Sequence, residues 1–385
     1  MDRVYLDNAA TTPVAPAVAE AMMSVLTQHY GNPSSIHAEG RTVRALLENA
    51  RKTVARCIGA GTADVFFTSG GTEANNTAIK RAVQDLGVRR IISSPTEHHC
   101  GLHSFSRVEA EHDTEIVLLP VDRLGRVQLP DLERALAESA GIPTLVSLMH
   151  ANNEIGTMID LDAVSRLCRE HGAYLHTDTV QTIGHFPINV QNTRVSFLSG
   201  AAHKFHGPKG IGFLYINPEI RIQPLIDGGS QERNMRGGTE NVMGIVGLGK
   251  ALELATEHME EHMAHIRGLR DYMREQLSTH LEGVECLGDI DGLSLYTVLN
   301  VSFPPHERNE LLLMRLDIAG ISASGGSACS SGAERGSHVM EAIGAGADRK
   351  SIRFSFSRYN TRADIDHVIH QLKAIMQSAE AVSAR

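Results

Sequence analysis

Apolar and polar positions switch between two periods along the first two-thirds of the chain. Val43, Leu46, Leu47, Ala50 and Val54 recur at the three-to-four-residue spacing that sets them on one face of a helix. Between such stretches lie short, continuous apolar runs rich in β-branched residues, at 64–68, 90–94, 115–121, 144–149, 173–178, 195–199 and 210–216. Continuous apolar strands separated by helical stretches predict a mainly parallel sheet with helices on both faces. In such sheets ligands gather beyond the carboxyl ends of the strands. The segment following each run is therefore where chemistry is expected. From about Gly238 a long helical stretch reaches about His280. After it come a strand at 296–303, a Ser/Gly-rich loop at 321–336, a strand at 351–357 and a closing helix from Arg362. That last third predicts a smaller α+β unit beside an α/β one.

Composition narrows the picture. A chain of 385 residues suggests two or three domains at roughly 150 residues each. Hydrophobic residues make up 42% and charged residues 21%, a mix that excludes a disordered or fibrous chain. Lys and Arg total 36 against 45 Asp and Glu, a formal charge of −9, which argues against nucleic acid and anionic membranes as partners. No apolar run approaches the ~18 residues of a membrane helix, and Met1–Tyr5 has no leader-like features. The five cysteines are scattered and form no C-x-x-C pair, so neither a disulfide framework nor a structural zinc site is expected. A reducing cytoplasm fits. Cys57, Cys100, Cys168 and Cys286 read as small buried hydrophobes.

Four segments carry candidate chemistry. Thr68-Ser69-Gly70-Gly71-Thr72 ends a strand and opens a helix that Thr72 could cap. Its free N–H groups suit an anion such as phosphate, although an ordinary strand-to-helix turn reads the same way. Asp178 ends the strand in Tyr174-Leu175-His176-Thr177-Asp178. It could be a helix cap or the partner of a pyridinium nitrogen. In Ala201-Ala202-His203-Lys204, Lys204 stands between two apolar strands, where a desolvated amine can form a Schiff base. A surface turn lysine is the plainer reading, and Lys209 suits it better. Finally, Cys329 sits among Gly325, Gly326, Ser327, Ala328, Ser330, Ser331 and Gly332, a small-residue loop that could present a nucleophilic thiol.

These segments, together with Tyr5-Leu6-Asp7-Asn8-Ala9-Ala10, Thr96-Glu97-His98, His150-Ala151-Asn152-Asn153-Glu154, Arg236-Gly237-Gly238-Thr239 and Ile352-Arg353-Phe354-Ser355, resemble the cysteine desulfurases of the aminotransferase class-V group. Those are pyridoxal-phosphate enzymes that supply sulfur for iron–sulfur clusters. The resemblance spans nearly the whole chain, and its cysteine loop matches the subgroup with a long mobile arm.

The resemblance implies an aminotransferase-like α/β fold. Residues 15–255 would form the large cofactor domain, and 1–14 with 256–385 the small domain carrying the cysteine loop. Lys204 would hold pyridoxal 5'-phosphate as a Schiff base and serve as proton-transfer base. Asp178 would keep the pyridine nitrogen protonated, and His98 would stack on the ring and move protons. Gln181 and Asn153 would bond near the phenolic oxygen. Gly71, Thr72 and His203 would hold the phosphate, with Thr239 reaching across from a second subunit of a homodimer. Arg353, with Asn153, would bind the substrate carboxylate of L-cysteine. Cys329 would take the sulfur as a persulfide, leaving alanine, and pass it to an acceptor such as an iron–sulfur scaffold. No resident metal is implied, although the Cys329 persulfide could ligate a cluster in passing.

Three positions depart from the family pattern. Ala201 replaces a frequent Ser, Thr179 stands where an Ala lies flat against the ring, and Arg335-Gly336-Ser337-His338 replaces a Pro-Ser pair. Two other readings use the same residues: a lyase acting on selenocysteine or cysteine sulfinate, and a non-catalytic sulfur carrier. The Cys329 loop argues against the first, and the intact set Lys204, Asp178, His98 and Cys329 against the second. His258, His262 and His265 share a helix face but are interleaved with Glu257, Glu260 and Glu261, so they read as a solvated face rather than a metal site.

Overall fold

Residues 3–306, 309–325, 337–346 and 348–377 are described by the computed structural model. Strand β1 (Val4–Tyr5) opens the chain. Seven strands then build the main sheet: β2 (Val65–Thr68), β3 (Arg90–Ser93), β4 (Glu115–Leu118), β5 (Thr144–Ser147), β6 (Tyr174–Asp178), β7 (Phe197–Ala201) and β8 (Gly212–Ile216). Their order is β2-β8-β7-β6-β5-β3-β4. Neighbours from β7 to β4 run parallel, and β8 is antiparallel to both β7 and β2.

The sheet is covered on both faces, which is why its strands read as unbroken apolar runs. Successive residues point to opposite sides. Ile91, Leu145, Phe197 and Leu214 join the core under the helices Gly71–Leu86 and His99–His112. Ile92, Val146, Leu198 and Phe213 join the core under the helices Ala38–Ile58, Leu161–Glu170 and Val242–Glu257.

A second body of apolar packing lies elsewhere. Strands β9 (Glu285–Leu287), β10 (Val298–Phe303), β11 (Ile321–Ser322) and β12 (Lys350–Ser355) follow the main sheet. β12-β10-β9 form an antiparallel sheet, and β1 pairs with β11 in parallel. Val4, Leu6, Leu299, Val301, Phe354 and Leu372 share one core there. The N-terminal segment thus belongs to this packing, and it is stitched down by Asn8 Nδ2 donating to the Ser355 carbonyl at 2.8 Å.

The stretch expected as one helix from Gly238 to His280 is two, Val242–Glu257 and Met259–His280, separated at His258. No Pro or Gly marks the break. β9 and β1 were not anticipated, since runs of two or three residues carry no readable period.

Candidate active site

Five strand ends converge on one cleft, of about 230 Å³. Gly71 and Thr72 come from beyond β2, His98 from beyond β3, Asn153 from beyond β5, Asp178 and Gln181 from β6 and its turn, and His203 and Lys204 from beyond β7. This is the carboxyl-end placement that a parallel sheet favours. Ala9, Ala10 and Arg353 close the cleft from the second core.

The helix Gly71–Leu86 begins after Gly70, and no side chain caps it. Thr72, expected as the cap, is the second helical residue. The first-turn N–H groups are therefore left for a ligand, at the positive end of the helix. Gly71 is required by space: a Cβ there would stand 2.6 Å from Val180 Cγ2. A hollow continuous with this turn is lined by Thr72, His203 and the exposed Lys209. Lys209, read from sequence as a plain turn lysine, thus adds positive charge at the helix start.

Asp178 is buried. Its Oδ1 accepts the Val180 N–H at 2.8 Å and its Oδ2 accepts Asn75 Nδ2 at 2.6 Å. One oxygen caps a turn, but no helix begins there, so Asp178 is not a helix cap; its side chain lines the cleft. Lys204 Nζ donates to the carbonyls of Ala9 at 2.5 Å and Ala10 at 2.7 Å. Gln181 Nε2 donates to the same Ala9 oxygen at 3.1 Å. His203 shares a hydrogen bond with Thr11 through Nδ1 at 3.2 Å. Burial, aided by the charges of Lys204 and Lys209, pushes His203 down to about 4 and keeps it neutral.

His98 caps the helix His99–His112, its Nδ1 accepting the Cys100 N–H. Burial lowers its pKa; Lys204 adds to that and Asp178 opposes it. Arg353 is almost fully buried, with Nη2 on Asp7 Oδ1 at 2.9 Å and Nη1 on the Asn153 carbonyl at 2.8 Å. Its Nε is buried and has no partner.

Several features differ from expectation. Thr179 does not line the cleft; its hydroxyl donates to the Ser199 carbonyl at 2.8 Å, and Val180 forms the wall instead. The side chain two residues past the acid, not one, faces the cleft because the backbone turns there. Ala201 lines the cleft with only its methyl as side chain. Thr239 lies in a separate hollow with Ser69, Gly210 and Arg236, so a single chain does not bring it to Lys204. Cys100, read as an inert buried residue, lines the cleft beside His98. Cys57 and Cys286 are likewise only half-buried, and Cys168 alone of the four is buried. Cys329, Gly326, Gly332, Arg335 and Gly336 lie outside the described residues.

Sequence reasoning gave no site role to several cleft residues, among them Asn75, Glu154 and His338. Glu154 Oε2 accepts the Ser337 hydroxyl at 2.6 Å, and His338 Nε2 donates to the Glu97 carbonyl at 2.9 Å. The Ser337 and His338 side chains thus bond to the cleft wall. Glu97 itself is buried, and burial pushes its carboxyl up to about 8. The motif Thr96-Glu97-His98 was the available signal for Glu97.

Comparison with known proteins matches residues 4–368 to the aminotransferase class-V family. The chain belongs to that family. Among aminotransferase class-V relatives, a protein of Dictyoglomus turgidum named cysteine desulfurase IscS is 44% identical over 99% of this chain and 96% of its own length. A solved NifS-like protein, 36% identical, superposes with a TM-score of 0.90 over 98% of this chain and all of its own. A protein named SspA, solved in complex with cysteine, is 30% identical with a TM-score of 0.79, covering 93% of this chain and 100% of its own. In this family member, among the described residues, no helix is long and apolar enough to cross a membrane.

Proposed function

We propose that the protein is a cysteine desulfurase, converting L-cysteine to L-alanine while its sulfur passes to Cys329. The observation that carries this reading is the meeting, in one cleft, of an amine (Lys204), a buried acid (Asp178), an imidazole (His98) and a buried guanidinium whose Nε has no partner (Arg353). Full-length relatives named cysteine desulfurase support it.

The residues fit pyridoxal 5'-phosphate, the cofactor this family implies. The cradle at Gly71, which a Cβ would fill, and the uncapped helix start suit its phosphate. Asp178 suits its ring nitrogen, Gln181 and Asn153 its phenolic oxygen, and Lys204 its aldehyde carbon. When bound, the cofactor supplies an electron sink for charge developing at the substrate α-carbon.

The chain's own groups do the rest. Arg353 binds the substrate carboxylate, with Asn153 beside it. Lys204 Nζ removes the α-proton, and His98, also lining the cleft, carries protons. The Cys329 thiolate attacks the substrate sulfur; the S–S bond of Cys329–S–SH forms as the carbon–sulfur bond breaks, and the carbon skeleton leaves as alanine.

Other parts of the reading have their own support. Two separate apolar cores favour the division into 15–255 and 1–14 with 256–385. A homodimer is supported by Thr239 standing away from its own chain's cleft and by exposed Met23, Leu26 and Ile36. The persulfide goes to an acceptor protein such as an iron–sulfur scaffold, and a protein working through a free thiol suits a reducing cytoplasm.

The test is to incubate the purified protein with L-cysteine and a small thiol, measuring sulfide and alanine together. Equal amounts are expected. Cys329→Ala abolishes sulfide and retains the yellow cofactor absorbance, whereas Lys204→Ala loses the colour. Normal turnover by Cys329→Ala overturns the persulfide step.

A further inference from the structure

Asn75 and Cys100 line the cleft, yet the proposed chemistry assigns them nothing. They stand on two helices packed side by side, Gly71–Leu86 and His99–His112. Asn75 is 2% exposed. Its amide nitrogen donates twice, to Asp178 Oδ2 at 2.6 Å and to Cys100 Sγ at 3.2 Å. A carboxylate has no proton to give, so the NH₂ end must face Asp178. The amide's Oδ1 is left buried without a partner, which shows which end the site holds.

The Cys100 sulfur accepts from Asn75, has the Thr72 hydroxyl as a further hydrogen-bonding neighbour, and has one hydrogen of its own. That hydrogen is directed to His98 Nδ1, 3.0 Å away, and the Cys100 backbone N–H reaches the same nitrogen at 3.2 Å. A proton on Nδ1 would face the Cys100 backbone N–H, so Nδ1 is the acceptor, Nε2 carries the hydrogen, and the thiol donates to Nδ1. Burial, with the Asp178 charge second, pushes the Cys100 thiol up to about 12, so it remains a donor near neutral pH.

We propose that Asn75 and Cys100 form a hydrogen-bonded strut from Asp178 to His98, which fixes His98 as its Nε2–H tautomer and sets its ring orientation. Both are positioning residues for His98. Their relevance to catalysis rests on the desulfurase reading; the strut itself does not. The other titratable groups acting on His98 are Asp178 and Lys204 across the cleft, His338 beyond the 326–336 segment and His103 on its own helix, with the His99 ring 6.4 Å away.

The experiment records ¹⁵N spectra of the histidine-labelled full-length protein across pH, with His98 assigned through His98→Gln. Wild type is expected to show Nδ1 as the unprotonated nitrogen. Cys100→Ala weakens that preference and raises the imidazole pKa by about half a unit, because the neutral ring loses a donor. Cys100→Ser restores both, since its hydroxyl can donate in the same direction. A protonated Nδ1 in wild type, or Cys100→Ala spectra and titration identical to wild type, overturns the strut. Absent sulfide release with the tautomer intact would instead sink the functional reading alone.

Discussion

The Arg353 guanidinium donates to Asp7 Oδ1 at 2.9 Å, and the same oxygen accepts the Ser324 hydroxyl at 2.7 Å. The cation at the cleft wall is thus held from the N-terminal segment, with Asp7 the more exposed of the pair. Asp7→Ala removes the carboxylate and leaves a buried charge under-compensated. The expected result is a loss of about 1–3 kcal/mol in urea unfolding. KM for L-cysteine rises, with kcat changed less. An unchanged KM would show that Arg353 does not depend on Asp7 for its position.

Glu97 gives a pH signature. Its carboxyl titrates near 8 in the fold, against an ordinary 4.5, because burial penalises the charge. Between those values the folded state holds a proton that the unfolded state has released. The stabilising contribution is therefore complete below about pH 4.5 and is lost as pH rises through about 8. Glu97→Gln keeps a neutral side chain at every pH. Its stability relative to wild type should climb by about 3–4 kcal/mol from pH 5 to pH 8. Thermal melts across that range check it, and a flat difference contradicts the assignment.

Gly71 and Val180 share a space too small for another carbon. Gly71→Ala places its Cβ against Val180 Cγ2, forcing apart the helix start and the turn after β6. Cofactor affinity should fall by about tenfold or more, equivalent to about 1.4 kcal/mol. Adding Val180→Ala should recover much of it. Absorbance titration with pyridoxal phosphate measures both, and a double variant no better than the single one refutes the steric account.

Away from the cleft, Arg51 and Glu232 form a buried two-bond pair at 2.7 and 2.8 Å. Glu232 also accepts the Phe67 N–H, and Arg51 donates to the Val65 carbonyl. The pair therefore locks β2, the strand that leads into Gly71. Glu232→Ala leaves the partly exposed Glu48 as the buried guanidinium's one carboxylate partner and should cost about 3 kcal/mol. Chemical denaturation measures this; a loss under ~1 kcal/mol would mean that water reaches Arg51.

The main sheet was legible because its central strands are buried on both faces and read as apolar runs, and even the more exposed edge strand β4 keeps an apolar run; each appears within a few residues of its expected span. The break at His258 left no trace, since helix ends without Pro or Gly are set by packing. Lys204 and Asp178, at or just beyond strand ends, could be read as candidates from their chemistry, whereas His98 was legible only through the family resemblance. Asn75 and Cys100 could not, because their parts depend on two helices meeting. Thr179 misled for a related reason: a turn's direction decides which neighbour of Asp178 faces inward, and spacing alone does not reveal it.

Ser324 pairs with the Arg353 backbone in both directions, and Ser337 bonds to Glu154. The cleft cation is thus seated on a seam between chain segments far apart in sequence, with Asp7 on one side and Ser324 on the other. A change at Ser324, outside the cleft lining, reaches Arg353 through two backbone bonds and one shared carboxylate.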